Sequence, residues 1–351
     1  MSSNLFRRIA VVTALCCIFS YIMTLRSSFM ANAAAVEPME GKAECVMELN
    51  SRRVLYQSRG DIRLPMASTT KILTAATVLN LCKNIDVEFE IPIQAVGVEG
   101  SSVYLKQGDV YSVKDLLYGL MLRSGNDCAT ALAYYCSGGI QKFTTEMNKL
   151  AQKAGALDSR FQNPHGLPCK EHYTTAKDLT SIACYAMQNP IFQEIVSTKY
   201  YTPRHWKNKN KMLTEYEGGI GVKTGYTKEA GRCLVSAAKR EDMTLVCTVL
   251  NCSMTYERSA KLLDDAFASY KLTKLLDRLH TFEIEYNGKT IKCNAKEDYY
   301  YPLLKEEAEL VKIITLPTKN TNKNVKNGEI VGQFKIYLAN QLLFLGNLYK
   351  L

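Results

Sequence analysis

The chain has 351 residues, 47% of them apolar, and its 44 Lys and Arg against 34 Asp and Glu give a formal charge of +10 with a pI near 8.9. That length and apolar content suit one large domain plus a small one with real cores, and the charge favours anionic surroundings such as cell-wall polymers or lipid headgroups. No Arg/Lys patch interleaved with aromatics, no His-Glu-x-x-His and no zinc-spaced cysteine pair with histidine support occurs, so the composition points away from a nucleic-acid partner, a metal or a cofactor.

Arg7 and Arg8 precede an uncharged apolar stretch from Ile9 to Thr24, and Ala31 to Ala35 offer an A-x-A type cleavage site. Residues 1–35 therefore read as an export signal cut after about Ala33 to Ala35, with an uncleaved anchor as the alternative. Cys16 and Cys17 lack the small residues ahead of them that a lipoprotein site needs. Ten cysteines follow the signal, scattered without a compact framework and often at apolar positions, so buried free thiols are expected rather than a disulfide scaffold.

Cys45 to Leu49 and Val54 to Tyr56 flank Asn50-Ser51-Arg52-Arg53 as a hairpin. Then comes Ser68-Thr69-Thr70-Lys71, which opens the apolar run Ile72, Leu73, Ala75, Ala76, Val78 and Leu79, a largely buried helix over 68–82. Residues three apart share a helix face, so Lys71 can approach the Ser68 hydroxyl. A lysine deprotonates a serine only when neutral, and burial or a second cation lowers its pKa to that end. Ser236-Ala237-Ala238-Lys239 repeats the pattern, but its apolar surroundings place it on a strand.

Ser112 to Asp115 is a capping-box pattern that starts a helix over 113–122, and Gly125 is expected to break it. Ser124-Gly125-Asn126 then falls on a loop, where the Ser124 hydroxyl can relay a proton and the Asn126 amide can hold a carbonyl. Helices near 127–136, 140–154 and 175–188 follow. Lys223-Thr224-Gly225 lies on a strand after Gly218 to Val222 and ahead of β-type runs at 233–238 and 244–250. Such a strand beside a cleft pairs with an extended peptide; Gly225 leaves room for close approach, while Lys223 and Thr224 suit a free carboxylate. Tyr256 to Tyr270 reads as a helix covering the sheet. From about Thr281 the pattern turns to β: Phe282, Ile284 and Tyr286 alternate with glutamates ahead of Asn287-Gly288, a two-residue hairpin signal. Strands at 311–316, 329–338 and 342–345 follow, with a polar loop at 318–327 and an end at Leu351 that shows no amphipathic anchor.

Each motif alone has an ordinary reading: Ser68 as a helix cap, Ser-Gly-Asn as a helix stop, Lys-Thr-Gly as a hairpin turn. Their joint occurrence supplies a nucleophile, a base, a proton relay and a cationic strand edge, the inventory of an acyl-transferring serine enzyme.

These segments resemble the serine-type D-Ala-D-Ala carboxypeptidases, the low-molecular-weight penicillin-binding proteins, with motif separations of 56 residues (124 − 68) and 99 residues (223 − 124). Pro65 to Ala75, Asn163-Pro164-His165-Gly166-Leu167, Asp178-Leu179 and Lys223 to Thr227 carry the resemblance, which covers about Ala43 to Tyr270 well and the rest more loosely. It implies an α/β, multi-domain fold: a β-lactamase/transpeptidase-like antiparallel sheet with a helical lobe over residues 36–278, and a small β-rich domain over 279–351. It implies that Ser68 forms the acyl-enzyme, Lys71 accepts its proton, Ser124 and Asn126 complete the relay and substrate contacts, and Lys223 and Thr224 bind the terminal carboxylate beside Gly225. The backbone N–H groups of Ser68 and Tyr226 would form the oxyanion hole. The implied reaction removes the terminal D-alanine from a peptidoglycan pentapeptide stem at the cell envelope, with β-lactam antibiotics as suicide substrates and no cofactor. Membrane or cell-wall association follows from the same resemblance.

Family members often hold the carboxylate with an arginine after the strand that follows Lys-Thr-Gly. Here Arg258 is the nearest such residue, and it reads instead as a first-turn residue of the next helix. A DD-endopeptidase or a serine β-lactamase would use the same site, although no Glu-x-x-Leu-Asn follows the second motif. A non-catalytic penicillin-binding scaffold would have lost Ser68, Lys71 or Lys223.

Overall fold

A computed structural model describes residues 40–318 and 325–351. The export segment read at 1–35 and the middle of the polar loop at 318–327 lie outside the described residues.

Strands β1 (Ala43–Glu48) and β2 (Val54–Ser58) form the expected hairpin. A 3₁₀ turn at Ala67–Thr70 leads into helix α1 (Lys71–Leu81), whose Ile72, Leu73, Ala75, Ala76 and Val78 are buried. Short strands β3 (Glu88–Glu90) and β4 (Val110–Ser112) pair ahead of helix α2 (Val113–Tyr118), where the Ser112 hydroxyl accepts from the Asp115 N–H as its cap. Beyond Tyr118 the helix widens into a π turn, Gly119–Arg123, that ends at Ser124 in left-handed backbone with φ +66°. Helices α3 (Asn126–Ser137), α4 (Ile140–Lys153), α5 (Ala176–Met187) and α6 (Pro190–Ser197) follow. α6 is absent from the sequence reading although its buried Phe192, Ile195 and Val196 stand at helical spacing behind the Asn189 cap, because two turns are too short a run for periodicity to stand out.

After the two-residue strands β5 (Tyr200–Tyr201) and β6 (Trp206–Lys207) and the single-turn helix α7 (Met212–Glu215), the chain forms β7 (Gly219–Thr227), β8 (Gly231–Arg240) and β9 (Met243–Leu250), then helix α8 (Thr255–Ser269). The main sheet has the antiparallel order β2-β1-β9-β8-β7. Alternation splits its side chains between two cores. Cys45, Met47, Val235, Ala237 and Val246 face α5 and the helical lobe; Val46, Leu234, Leu245, Cys247 and Val249 face Leu262, Leu263 and Ala266 of α8. With both faces covered, every residue of β9 is buried, which is why it reads as an unbroken apolar run rather than an alternating one. Ser236 lies mid-strand in β8, so the second Ser-x-x-Lys pattern has no helix to bring its ends together.

Residue 258 sits on α8 as a structural arginine. It pairs bidentately with the fully buried Glu44 of β1 at 2.7 Å through both nitrogens, tying helix to sheet.

Strand β10 (Lys271–Leu276), which precedes the boundary expected at 279, pairs with β13 (Tyr299–Leu303) beyond it. Between them β11 (Phe282–Tyr286) and β12 (Lys289–Asn294) form a hairpin with Asn287 and Gly288 both at positive φ, as a type I′ turn requires. β14 (Val311–Pro317), β15 (Ile330–Leu338) and β16 (Gln341–Lys350) complete a five-stranded sheet, β11-β12-β16-β15-β14. Arg53, in the β1–β2 loop, reaches this part of the chain through Glu307 and the Pro302 carbonyl. Among the described residues no helix is long and apolar enough to cross a membrane.

Candidate active site

β7 is one of the two edge strands of the main sheet, and the 3₁₀ turn that carries Ser68 lies directly against it. A Cβ placed on Gly225 would sit 3.0 Å from the backbone nitrogens of both Ser68 and Thr69, so only glycine lets the strand come this close. Gly166 does the same from the other side: at φ +91° its missing Cβ would fall 1.9 Å from the Ala67 carbonyl oxygen. The serine turn is held between two glycines.

Lys71 opens α1 with its side chain entirely buried. Its Nζ donates to Ser68 Oγ at 2.9 Å, to Asn126 Oδ1 at 2.6 Å and to the His165 carbonyl at 2.6 Å. Burial, and after it the charge of Lys223, hold the ammonium well below the ordinary lysine range, against the opposing pull of Cys128 and Asp127. Burial and then Lys209 push Lys223 down to about 7, and its Nζ donates to the Thr224 carbonyl at 3.0 Å. His165 remains a neutral imidazole, since burial and then Lys71 push it down to about 3.

Asn126 is not on a loop, as the Gly125 break suggested, but is the first residue of α3. The chain restarts as a helix at once because the Asp127 carboxylate accepts from the N–H groups of Val103, Leu105 and Cys128, fixing the first turn. The Asn126 amide is engaged at both ends, accepting from Lys71 and donating to the Glu99 carbonyl. Ser124, Thr224, Gly225 and Tyr226 line one cleft of about 440 Å³ with Ser68.

Sequence reasoning missed three things here. Arg232, exposed and without an ion-pair partner among the described residues, lines the same cleft; it stands opposite Tyr226 across the β7–β8 hairpin, on the face that also carries Thr224. Counting back through that hairpin register would have found it. Ser101 and Lys209 also line the cleft, brought there by loops that carry no periodic signal. The third is the His165 carbonyl, a backbone acceptor for Lys71 that no side-chain pattern can announce.

Comparison with known proteins gives two matches along the chain. Residues 30–254 match the family described as D-alanyl-D-alanine carboxypeptidase, and residues 268–350 match the C-terminal domain of penicillin-binding protein 5. The carboxypeptidase DacF of Bacillus subtilis is 32% identical over 256 residues, covering 69% of this chain and 66% of the relative, just under two thirds of its length. The carboxypeptidase DacA of Haemophilus influenzae is 30% identical over 310 residues, covering 82% and 78%. Among solved structures, penicillin-binding protein 5 from Haemophilus influenzae superposes with a TM-score of 0.73 at 26% identity, covering 91% of this chain and 98% of that one. The Streptomyces K15 DD-transpeptidase superposes with a TM-score of 0.62 at 35% identity, covering 66% and 98%.

Proposed function

This chain belongs to the family of serine-type D-alanyl-D-alanine carboxypeptidases, and from that premise we propose that it removes the terminal D-alanine from peptidoglycan pentapeptide stems through an acyl-enzyme on Ser68. The observation that carries the reading is the 2.9 Å contact between Ser68 Oγ and a buried Lys71 Nζ whose pKa is depressed.

In this mechanism the stem peptide lies along the open edge of β7 as an added strand, with its terminal carboxylate toward Lys223, Thr224 and Arg232. Arg232 takes the place that Arg258 cannot fill, because Arg258 is spent on Glu44. Ser68 Oγ attacks the carbonyl carbon of the penultimate residue while Lys71, as the neutral amine that keeps its two N–H bonds for Asn126 Oδ1 and the His165 carbonyl, turns its lone pair to Ser68 and accepts the hydroxyl proton. The oxyanion is received by the backbone N–H groups of Ser68 and Tyr226, brought together by the close approach at Gly225. Lys71 then returns the proton through the Ser124 hydroxyl to the leaving nitrogen, the C–N bond breaks and D-alanine departs. Water repeats the cycle on the ester and regenerates Ser68. The remaining N–H of the Asn126 amide is assigned to a substrate carbonyl. A β-lactam would enter by the same first step and stay as the ester.

The same reading assigns residues 36–278 to catalysis, residues 279–351 to the β-rich domain, and residues 1–35 to export toward the cell envelope, where the basic chain would meet anionic wall polymers or lipid headgroups. Release of D-alanine from diacetyl-L-Lys-D-Ala-D-Ala is the test, together with mass spectrometry of penicillin-treated protein. Wild type should release D-alanine and carry the adduct on Ser68. Release no greater than that of Ser68→Ala would end the carboxypeptidase reading.

A further inference from the structure

A second concavity of about 400 Å³ adjoins the catalytic cleft and shares Lys209 with it. Arg123, Lys199, Lys207 and Lys211 also line it, against a single carboxylate, Glu215, which Lys211 meets at 3.6 Å. None of Arg123, Lys199, Lys207 or Lys209 has an ion-pair partner among the described residues. Like charges gathered this closely repel one another and cost stability, and an anion placed among them would offset that cost. Burial and then Arg123 lower the pKa of Lys209, consistent with cations crowding one another there.

One buried polar group also belongs to this groove. Asn210 lines the groove at 5% exposure; its Oδ1 accepts from the Met212 N–H, which leaves Nδ2 as the donor, and that donor has no partner among the described residues. A buried amide N–H without an acceptor is rare. The cations that line the groove, four of them without an ion-pair partner among the described residues, make a site for oxygen anions.

The groove also has a defined position relative to the proposed chemistry. Helix α7, which forms one wall, packs on the first residue of β7: the Gly219 N–H donates to the Tyr216 carbonyl at 3.1 Å, and a Cβ on Gly219 would overlap the Met212 carbonyl. The Lys209 N–H donates to the Leu122 carbonyl, fixing the other wall to the turn that carries Ser124. The groove meets the cleft at Lys209, which lines both, and its α7 wall adjoins the Gly219 end of β7. With the substrate placed as proposed above, its carboxylate toward Lys223 and Thr224, that end of β7 is the side of the leaving residue.

We propose that this groove is a leaving-side subsite for a second carboxylate, so that the enzyme accepts peptides whose departing residue is acidic, including the carboxylate-bearing strand released when a peptide cross-link is cut. The inference rests on the proposed peptidase reading and uses the same bond cleavage.

The test compares three substrates that differ only in the last residue, diacetyl-L-Lys-D-Ala followed by D-Ala, D-Gln or D-Glu. D-Gln and D-Glu match in shape, so their ratio of kcat/KM reads the charge alone. Wild type should prefer D-Glu by up to about fivefold at low salt, the range expected for partly exposed ion pairs. The preference should fall toward unity in Lys199→Ala/Lys207→Ala, and in wild type at about 0.5 M salt, where screening shortens the reach of each charge to a few ångströms. These lysines are exposed, and covalent labelling of Ser68 by penicillin reports whether the variant is folded. Hydrolysis of D-Ala-D-Ala with D-Glu no better than D-Gln overturns the subsite and leaves the peptidase reading intact. A preference that survives the double variant overturns it too. Failure to hydrolyse any of the three above the Ser68→Ala level removes the reading on which it stands.

Discussion

Asn126 Oδ1 accepts a hydrogen bond from Lys71 Nζ at 2.6 Å, joining the first residue of α3 to the first residue of α1 across 55 positions of chain. The neutral amide orients the lysine toward Ser68 without adding a charge that would hold it protonated.

That neutrality is testable. Asn126→Asp places a carboxylate on the ammonium and should raise the Lys71 pKa by roughly 1–3 units. The acid limb of the penicillin acylation profile should move to higher pH by that amount, with the rate at pH 7 falling about tenfold or more. Asn126→Ala should slow acylation without the shift. An unmoved limb in Asn126→Asp would place the proton acceptor elsewhere.

Lys223 gives the opposite limb. With its pKa pushed down to about 7 by burial and Lys209, it carries charge below that pH and loses it above. A substrate with a free terminal carboxylate should therefore show KM rising as pH climbs through about 7, while the matching C-terminal amide should show no such rise. Equal alkaline profiles for acid and amide would separate Lys223 from carboxylate binding.

Gly166→Ala should disable Ser68 without touching it. The added methyl falls on the Ala67 carbonyl and the backbone is left-handed, so the serine turn must shift. Acylation should drop at least a hundredfold, with a stability loss of roughly 1–3 kcal/mol in urea unfolding. A wild-type acylation rate would show that the turn accommodates the methyl.

Arg258 and Arg232 should separate cleanly. Arg258→Ala leaves Glu44 buried and unpaired and should cost roughly 3–5 kcal/mol of stability, with KM for the carboxylate substrate little changed in the folded fraction. Arg232→Ala should do the reverse, raising KM with the melting temperature held. An increase in KM from Arg258→Ala at unaltered stability would return the carboxylate role to it.

His172 predicts acid sensitivity. Its Nδ1 accepts from the Gln162 N–H and its Nε2 therefore donates to Thr70 Oγ1, behind the serine turn, and burial pushes its pKa down to about 4. A group whose folded pKa lies below its unfolded value of about 6.5 stabilises the fold fully above 6.5, and that contribution fades as pH falls toward 4. The stability gap between wild type and His172→Gln should shrink by up to about 3 kcal/mol over that window. Parallel curves would mean that the imidazole is not held neutral.

Local chemistry was legible in the residues wherever neighbours in sequence are neighbours in space. The Ser68 to Lys71 spacing, the Ser112 cap and the Asn287-Gly288 hairpin are set within a few residues by backbone geometry, so pattern alone predicts them. The unbroken apolar run of β9 follows from the need to bury both faces of the main sheet. Asn126 escaped because what restarts the helix is a carboxylate, Asp127, reaching a distant loop.

What the amino-acid order determined by itself is the inventory of reactive groups and the elements that carry them. Tertiary structure alone decided how those groups behave: Lys71 finds acceptors 55 and 94 positions away, and its depressed pKa arises from complete burial beside Lys223. It also decided which arginine is free, sending Arg258 to a carboxylate 214 positions away and leaving Arg232 at the cleft, and it gathered the cations of the adjoining groove. Burial and charge proximity depend on distances between segments remote in the chain, and those distances exist only once the sheet, the helical lobe and the loops have packed together.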